Sequence, residues 1–396
     1  MAPENRRAFL RNTAAAAASL TSAGLISNTQ AQQGHSPDAP PAAQYAYVGC
    51  YTTKEREGRG DGIHVYRMHP ETGAWTHLQH AGDLVNPSFL VASRDQRFLY
   101  SVHGDEAYAT SFAIDRKTGH LTLLNRAATG GSNGVHQAFD PTGRFMVVAN
   151  YASGTVAVLP VRMDGTLQDF TQLVELKGQP GPNRTQQASS HPHNVVFDPS
   201  GKFVLVPDKG LDRVFIFRFD STTGKLTPTE QGSAPARSGY APRHMAFHPA
   251  LPVAWVLDEI GTAVTTYQWN GERGELRAAQ ILPSVPPEFT GENTTAEIAV
   301  SGGGRFVYCS NRGHDSVAIF AADPRTGLLT SIGWQSTHGK RPRFIGLDLS
   351  RHFLFAANEI SDTIVAFRAN PANGRLMPAG PVVSNASPVT IAFVRA

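Results

Sequence analysis

The side chains best suited to chemistry in this chain are His193, Arg243, Glu259, Arg312, Arg343, Lys209, His136, His244 and Glu297. Guanidinium groups hold carboxylate or phosphate in a bidentate way. They also stabilise an oxyanion formed at a carbonyl. A histidine or glutamate beside them can move a proton. Gathered in one place, these residues make an anion site with acid–base capability. What gathers them is their position in a repeat.

A Gly followed two residues later by Leu or Trp recurs seven times, at Gly73, Gly119, Gly165, Gly224, Gly274, Gly327 and Gly374. The gaps are 46, 46, 59, 50, 53 and 47 residues. A period near this value marks stacked or radial repeats. Each Gly sits in a polar turn such as Thr222-Thr223-Gly224-Lys225, where a tight hairpin calls for positive φ. A second phrase keeps step with the first. An apolar strand ends at Ser93, Asp140, Asp198, His248, Ser301 and Asp348, and ten residues later come His103, Asn150, Asp208, Asp258, Asn311 and Asn358. Between the marks lie β-like runs such as Phe145-Met-Val-Val-Ala149, and a further strand follows. Four short strands in about 50 residues describe a propeller blade. The first unit lacks its leading strand, and Pro388–Val394 at the other end supplies it. The fold class is therefore all-β, a seven-bladed β-propeller over residues 45–396, closed by pairing of the N- and C-terminal strands.

Equal offsets now mean equal places in each blade. Five residues before the first mark stand Ser88, Val135, His193, Arg243, Ala296 and Arg343; one residue further on stand His136, His244 and Glu297. Eleven residues after it stand Gly104, Tyr151, Lys209, Glu259, Arg312 and Glu359. The leading strand lies nearest the channel, so charge concentrates on one sector of the channel mouth. A charged residue on an inner strand needs a partner or a ligand. For Arg243 the competing reading is a structural ion pair with Glu259. His191-Pro-His193 offers two histidines only, too few to expect a metal. The chain has no Gly-rich phosphate loop, nucleophile elbow or cysteine cluster, and no cofactor is expected.

Lys and Arg number 35 against 32 Asp and Glu, a net +3. Setting aside Arg6, Arg7, Arg11 and Glu4 leaves 32 basic and 31 acidic residues, a net +1. That balance gives no reason to expect nucleic acid. Cys50 and Cys309 fall in different blades and read as small buried residues rather than a disulfide. Asn5-Arg6-Arg7-Ala8-Phe9-Leu10-Arg11 resembles a twin-arginine export motif. An Ala-rich stretch follows, and Thr29-Gln30-Ala31 suits cleavage. Residues 1–31 are thus expected to be a twin-arginine signal peptide and 32–44 a linker. The mature protein is expected in the periplasm, off the membrane.

The runs His193-Asn-Val-Val-Phe-Asp-Pro199, Pro242-Arg-His-Met-Ala-Phe-His-Pro249 and Ser310-Asn-Arg-Gly-His-Asp315 resemble the lactonase family of seven-bladed propellers. Tyr47-Val-Gly-Cys-Tyr-Thr52 and Pro342-Arg-Phe-Ile-Gly-Leu-Asp348 do so too. That family includes propeller-type 6-phosphogluconolactonases and 3-carboxy-cis,cis-muconate lactonizing enzymes. The resemblance covers about residues 45–396. Asp258-Glu259 stands where the family often has Asn-Glu, and Gly302-Gly-Gly304 replaces a Pro-Asp-Gly turn. The resemblance implies a catalytic set of His193, Arg243, Glu259 and Arg312, the same four that the offsets select. Arg343, His136, His244, Glu297 and Lys209 are then expected to bind substrate. The function it implies is hydrolysis of a small anionic sugar lactone, of the 6-phosphogluconolactonase type. Arg243 and Arg312 would hold the acid group and polarise the carbonyl. Glu259 or His193 would be the general base, and His193 the acid. The alternatives are a carboxymuconate-type lactonizing lyase and a non-catalytic periplasmic ligand-binding propeller. A phosphorylated sugar lactone is a cytoplasmic metabolite, so an exported member points to a different lactone.

Overall fold

The computed structural model describes residues 43–396, so the expected signal peptide and nearly all of the expected linker lie outside the described residues. Seven antiparallel sheets form the seven blades. Blade 1 takes its innermost strand, Pro388–Arg395, from the C-terminal end and then adds Gln44–Cys50, Ile63–Met68 and Trp75–Ala81. The closing pair runs in register from Gln44 opposite Arg395 to Gly49 opposite Thr390. Gln44, placed in the linker from sequence, is the first residue of its strand, and its Nε2 donates to Asp348 Oδ2 of blade 7 at 2.8 Å. Blades 2 to 7 begin with inner strands at Pro87, Gly134, Val196, Pro242, Thr294 and Pro342. In blade 7 two short segments, Leu376–Pro378 and Val383–Ser384, share the outer position.

Side chains alternate along a strand, so each blade buries both faces against its neighbours. In Gln44–Cys50, Tyr45 and Tyr47 pack with Leu90, Leu99 and Phe112 of blade 2. Ala46, Val48 and Cys50 pack with Phe353 and Phe355 of blade 7. This explains the unbroken apolar runs of the second strands, which are buried on both sides. Each fully buried Val, Leu or Phe side chain contributes about 1.5–3 kcal/mol. Both cysteines are buried and unbonded to each other.

The repeated glycines are the joints of the ring. All seven have φ between +67° and +85°. Each hairpin lies over the start of the second strand in the preceding blade, over its first residue in six cases and over Tyr45, the second residue of Gln44–Cys50, in the other. A Cβ on Gly274 would stand 2.3 Å from the Phe203 ring, and one on Gly119 would stand 2.5 Å from that of Tyr45. Aromatic groups reach the same hairpins. Tyr47 and Tyr100 hydroxyls donate to the Gly119 and Gly165 carbonyls at 2.9 and 3.0 Å, and Trp255 Nε1 donates to that of Gly327 at 3.0 Å.

Candidate active site

At the channel mouth the first residue of each inner strand faces the end of the second strand. The pairs include Pro87 with His103, Gly134 with Asn150, Pro242 with Asp258 and Pro342 with Asn358; in blade 4 an isolated bridge joins Pro192 to Asp208 ahead of the strand at Val196. The next residue on the inner strand then drops out of register. Ser88, Val135, Arg243 and Arg343 are the unpaired residues of such bulges. A bulge bends its strand and re-aims a side chain. The offset that marks Arg243 and Arg343 in sequence is this bulge position, and His193 holds the same offset in blade 4, directly after the Pro192–Asp208 bridge. In five of the seven blades the residue before the inner strand is strained. Asn86, Asn133, Ala241, Arg341 and Ser387 all have positive φ, and fully buried Ala241 is held there by its N–H bond to Asp212 Oδ1 at 2.8 Å. Such strain persists only where the surroundings over-determine it.

The polar residues that end the second strands are fully buried clamps. Asp208 Oδ1 accepts from the N–H groups of His191, Gly210 and Leu211. Asn311 and Asn358 donate to the carbonyls of Ser284 and Thr337. Asp208 and Asn311 stand directly before Lys209 and Arg312, while Glu259 is held by its own N–H, which donates to the Ala241 carbonyl at 2.8 Å.

Glu259 is the hub. Its Oε1 lies 2.7 Å from Lys209 Nζ and 3.2 Å from an Arg312 nitrogen, and its Oε2 lies 2.9 Å from Arg243 Nε. The Arg243–Glu259 pair anticipated from sequence is thus present, as part of a four-residue cluster drawn from blades 4, 5 and 6. All four side chains are less than a tenth exposed. Burial alone would raise the Glu259 carboxyl, but Lys209, Arg312 and Arg243 outweigh it and hold it well below the usual carboxylate range. Burial lowers Lys209, and brings Arg243 down to about 9, so Arg243 stays a cation at neutral pH. Arg243 and Arg312 also donate to the Ala296 and Thr295 carbonyls. Arg343 makes no ion pair among the described residues; its guanidinium lies over the Tyr51 ring, 5.0 Å from the centroid. Cations therefore outnumber carboxylates at this mouth.

A second tier consists of histidines. His193 and His244 rings lie 5.2 Å apart, and His244 and His136 rings 5.3 Å apart. His244 Nδ1 is 2.7 Å from Glu297 Oε1, which also accepts the Ile298 N–H at 3.1 Å. His136 Nδ1 accepts the Val195 N–H at 3.3 Å. His244 Nε2 and His193 Nδ1 are buried and have no hydrogen-bond partner among the described residues. Burial, with the nearby cations, keeps both imidazoles neutral. Burial raises the Glu297 carboxyl to about 7.

The structure thus brings all nine sequence-selected residues to one mouth. It arranges His244 and Glu297 as a dyad, which their offsets did not predict. His191 stacks on the Tyr151 ring at 4.4 Å, and His193 meets the same ring edge-on at 5.5 Å. Sequence reading missed Tyr51 and Arg56, which come from the blade 1 loop. Tyr51 follows the end of its strand as Tyr151 does, so carrying the offset across the ring closure finds it. A groove of about 1120 Å³, lined by Trp269, Gly271 and Arg273 among others, lies at the opposite end of the strands and holds none of these groups.

The family model described as "Lactonase, 7-bladed beta-propeller" matches residues 45–393. The chain is 33% identical to a 6-phosphogluconolactonase of Bacillus subtilis, covering 88% of this chain and 97% of that one. It is 29% identical to a 6-phosphogluconolactonase of Formosa agariphila, covering 86% and 97%. Among solved structures it is similar to the periplasmic gluconolactonase of Pseudomonas aeruginosa, with a TM-score of 0.82, 30% identity and coverage of 89% and 99%.

Proposed function

Given that the chain belongs to the lactonase family of seven-bladed β-propellers, we propose that its channel mouth hydrolyses a small anionic sugar lactone. The observation that carries this reading is the juxtaposition of a cation cluster with a Glu–His dyad whose buried Nε2 has no hydrogen-bond partner among the described residues. Arg343, which makes no ion pair within 4 Å among the described residues, receives the substrate's acid group. Arg243 and Arg312, held in place by Glu259, face the carbonyl and stabilise the oxyanion that forms on attack. Glu297 accepts the Nδ1–H of His244, which leaves the Nε2 lone pair to take a proton from water. Water adds to the lactone carbonyl, the ring C–O bond breaks, and the proton ends on the leaving alkoxide, assisted by His193. The product is the hydroxy acid. Glu259, one of two bases expected from sequence, is engaged through both oxygens with Lys209, Arg312 and Arg243, so its part is to position the cations. No step requires a cofactor.

The export signal belongs to the same proposal. Residues 1–31 carry the twin-arginine pattern, and the chain is similar to a periplasmic gluconolactonase. No helix among the described residues is long and apolar enough to cross a membrane. An exported enzyme would meet unphosphorylated or carboxylated sugar lactones. Acid release in a pH-stat from 6-phosphogluconolactone, gluconolactone and carboxylated muconolactones tests the activity. Release above the spontaneous rate from at least one sugar lactone is expected, and none from any of them overturns the reading.

A further inference from the structure

We propose that blade 1 carries a divalent transition-metal site formed by Asp61, His64 and His80, which pins the loop entering its third strand. The site lies on the blade's surface and is independent of the channel chemistry. His64 stands directly opposite His80 across two strands. The register slips between Val65 and Tyr66, so that His77 pairs with Tyr66 and joins the same face as His64 and His80. Without that bulge, residues three apart would point to opposite faces.

One ligand atom from each of Asp61, His64 and His80 lies within 4.8 Å of the others. His64 Nε2 is 2.7 Å and His80 Nε2 3.4 Å from the Asp61 carboxylate. A tetrahedral ion bound at about 2.0–2.2 Å needs ligand atoms a little over 3 Å apart. The adjustment is small: the Asp61 and His80 side chains are 61% and 39% exposed, and His80 Nε2 would exchange its 3.0 Å contact with the Asp61 carbonyl for the ion. His77 completes the arrangement: its Nε2 lies 3.1 Å from His64 Nδ1. A ligating imidazole ordinarily has its second nitrogen held in this way, fixing tautomer and orientation. Two imidazoles and one carboxylate suit zinc, nickel or copper rather than magnesium or calcium.

Asp61 closes the loop that begins at Tyr51. That loop lays Tyr51 beneath Arg343, pairs Arg56 with Asp105, and pairs Arg59 with Asp362 at 2.8 Å. A bound ion would tie the root of this mouth-lining loop to the outer strands of blade 1.

The test is titration of the chelator-treated protein with zinc, followed by calorimetry, with cobalt(II) absorption as a report of coordination. One zinc per chain and ligand-field bands of four-coordinate cobalt are expected. The exposed His80→Ala variant should lose both, and His77→Ala should weaken binding by about 10–100-fold. Absence of saturable binding, or equal binding by the parent and His80→Ala, would overturn the proposal and leave a proton-sharing surface network.

Discussion

Replacing Glu259 by Gln would leave Lys209, Arg243 and Arg312 without their shared carboxylate while keeping its shape. These side chains are 3–9% exposed, so solvent screens them little and the interior estimate applies. Removing one partner of a buried ion pair costs about 3–5 kcal/mol. With an unfolding entropy of about 2.1 cal/mol/K per residue, that cost lowers the melting temperature by about 4–7 °C for a domain of this length. The vacated carboxylate would also leave an anion site. Phosphate at 100 times its dissociation constant should restore about 2.7 kcal/mol, or most of the loss. Thermal unfolding followed by circular dichroism, with and without phosphate, reads both effects. A variant melting within about 1 °C of the parent would show that the cluster is not electrostatically coupled through Glu259. A large drop that phosphate does not reverse would show that the cations do not face an accessible anion site.

Three further outcomes follow from the geometry. Because the Glu297 carboxyl lies at about 7, its ionisation is expected to give kcat a limb that rises with pH through that value; below it the protonated acid donates to His244 Nδ1 and the base is lost. Glu297→Gln should remove that limb from the pH–rate profile, and an unchanged profile would exclude the dyad. Gly274→Ala should destabilise by more than the about 1–2 kcal/mol of left-handed backbone strain alone, because its Cβ meets Phe203 at 2.3 Å. Gly143→Ala, at φ 72° with nothing within 4 Å, should show the strain alone, and equal losses in denaturant titrations would refute the joint role of the hairpin glycines. Replacing Arg6 and Arg7 by Lys should keep the folded protein in the cytoplasmic fraction; undiminished export would dismiss the twin-arginine assignment.

The fold was legible because a propeller writes each structural need once per blade. The seven hairpin glycines are favoured by positive φ and by the side chain beneath each one, an aromatic ring in six cases and Val253 under Gly327, so the period shows. Ring closure was readable from the missing strand at one end and the spare strand at the other. The site positions were readable for the same reason, since Arg243 and Arg343 occupy equivalent places. The bulge that aims them was not, because a one-residue slip between strands has no residue signature beyond the prolines at 87, 192, 242 and 342. The His244–Glu297 dyad was hidden because it joins two blades through 53 residues of sequence. The blade 1 histidines were passed over because their spacing of three, read on an unbulged strand, separates them.

The most direct measurement is steady-state hydrolysis of the preferred sugar lactone by Arg243→Ala beside the parent enzyme, with circular dichroism showing both folded. Loss of one preorganised oxyanion donor typically costs about 10²–10³ in kcat. A loss of that size, with the β-sheet spectrum retained, is the predicted result. A folded Arg243→Ala enzyme turning over within about threefold of the parent, far short of an oxyanion-donor loss, would contradict the account and place the chemistry elsewhere on the propeller.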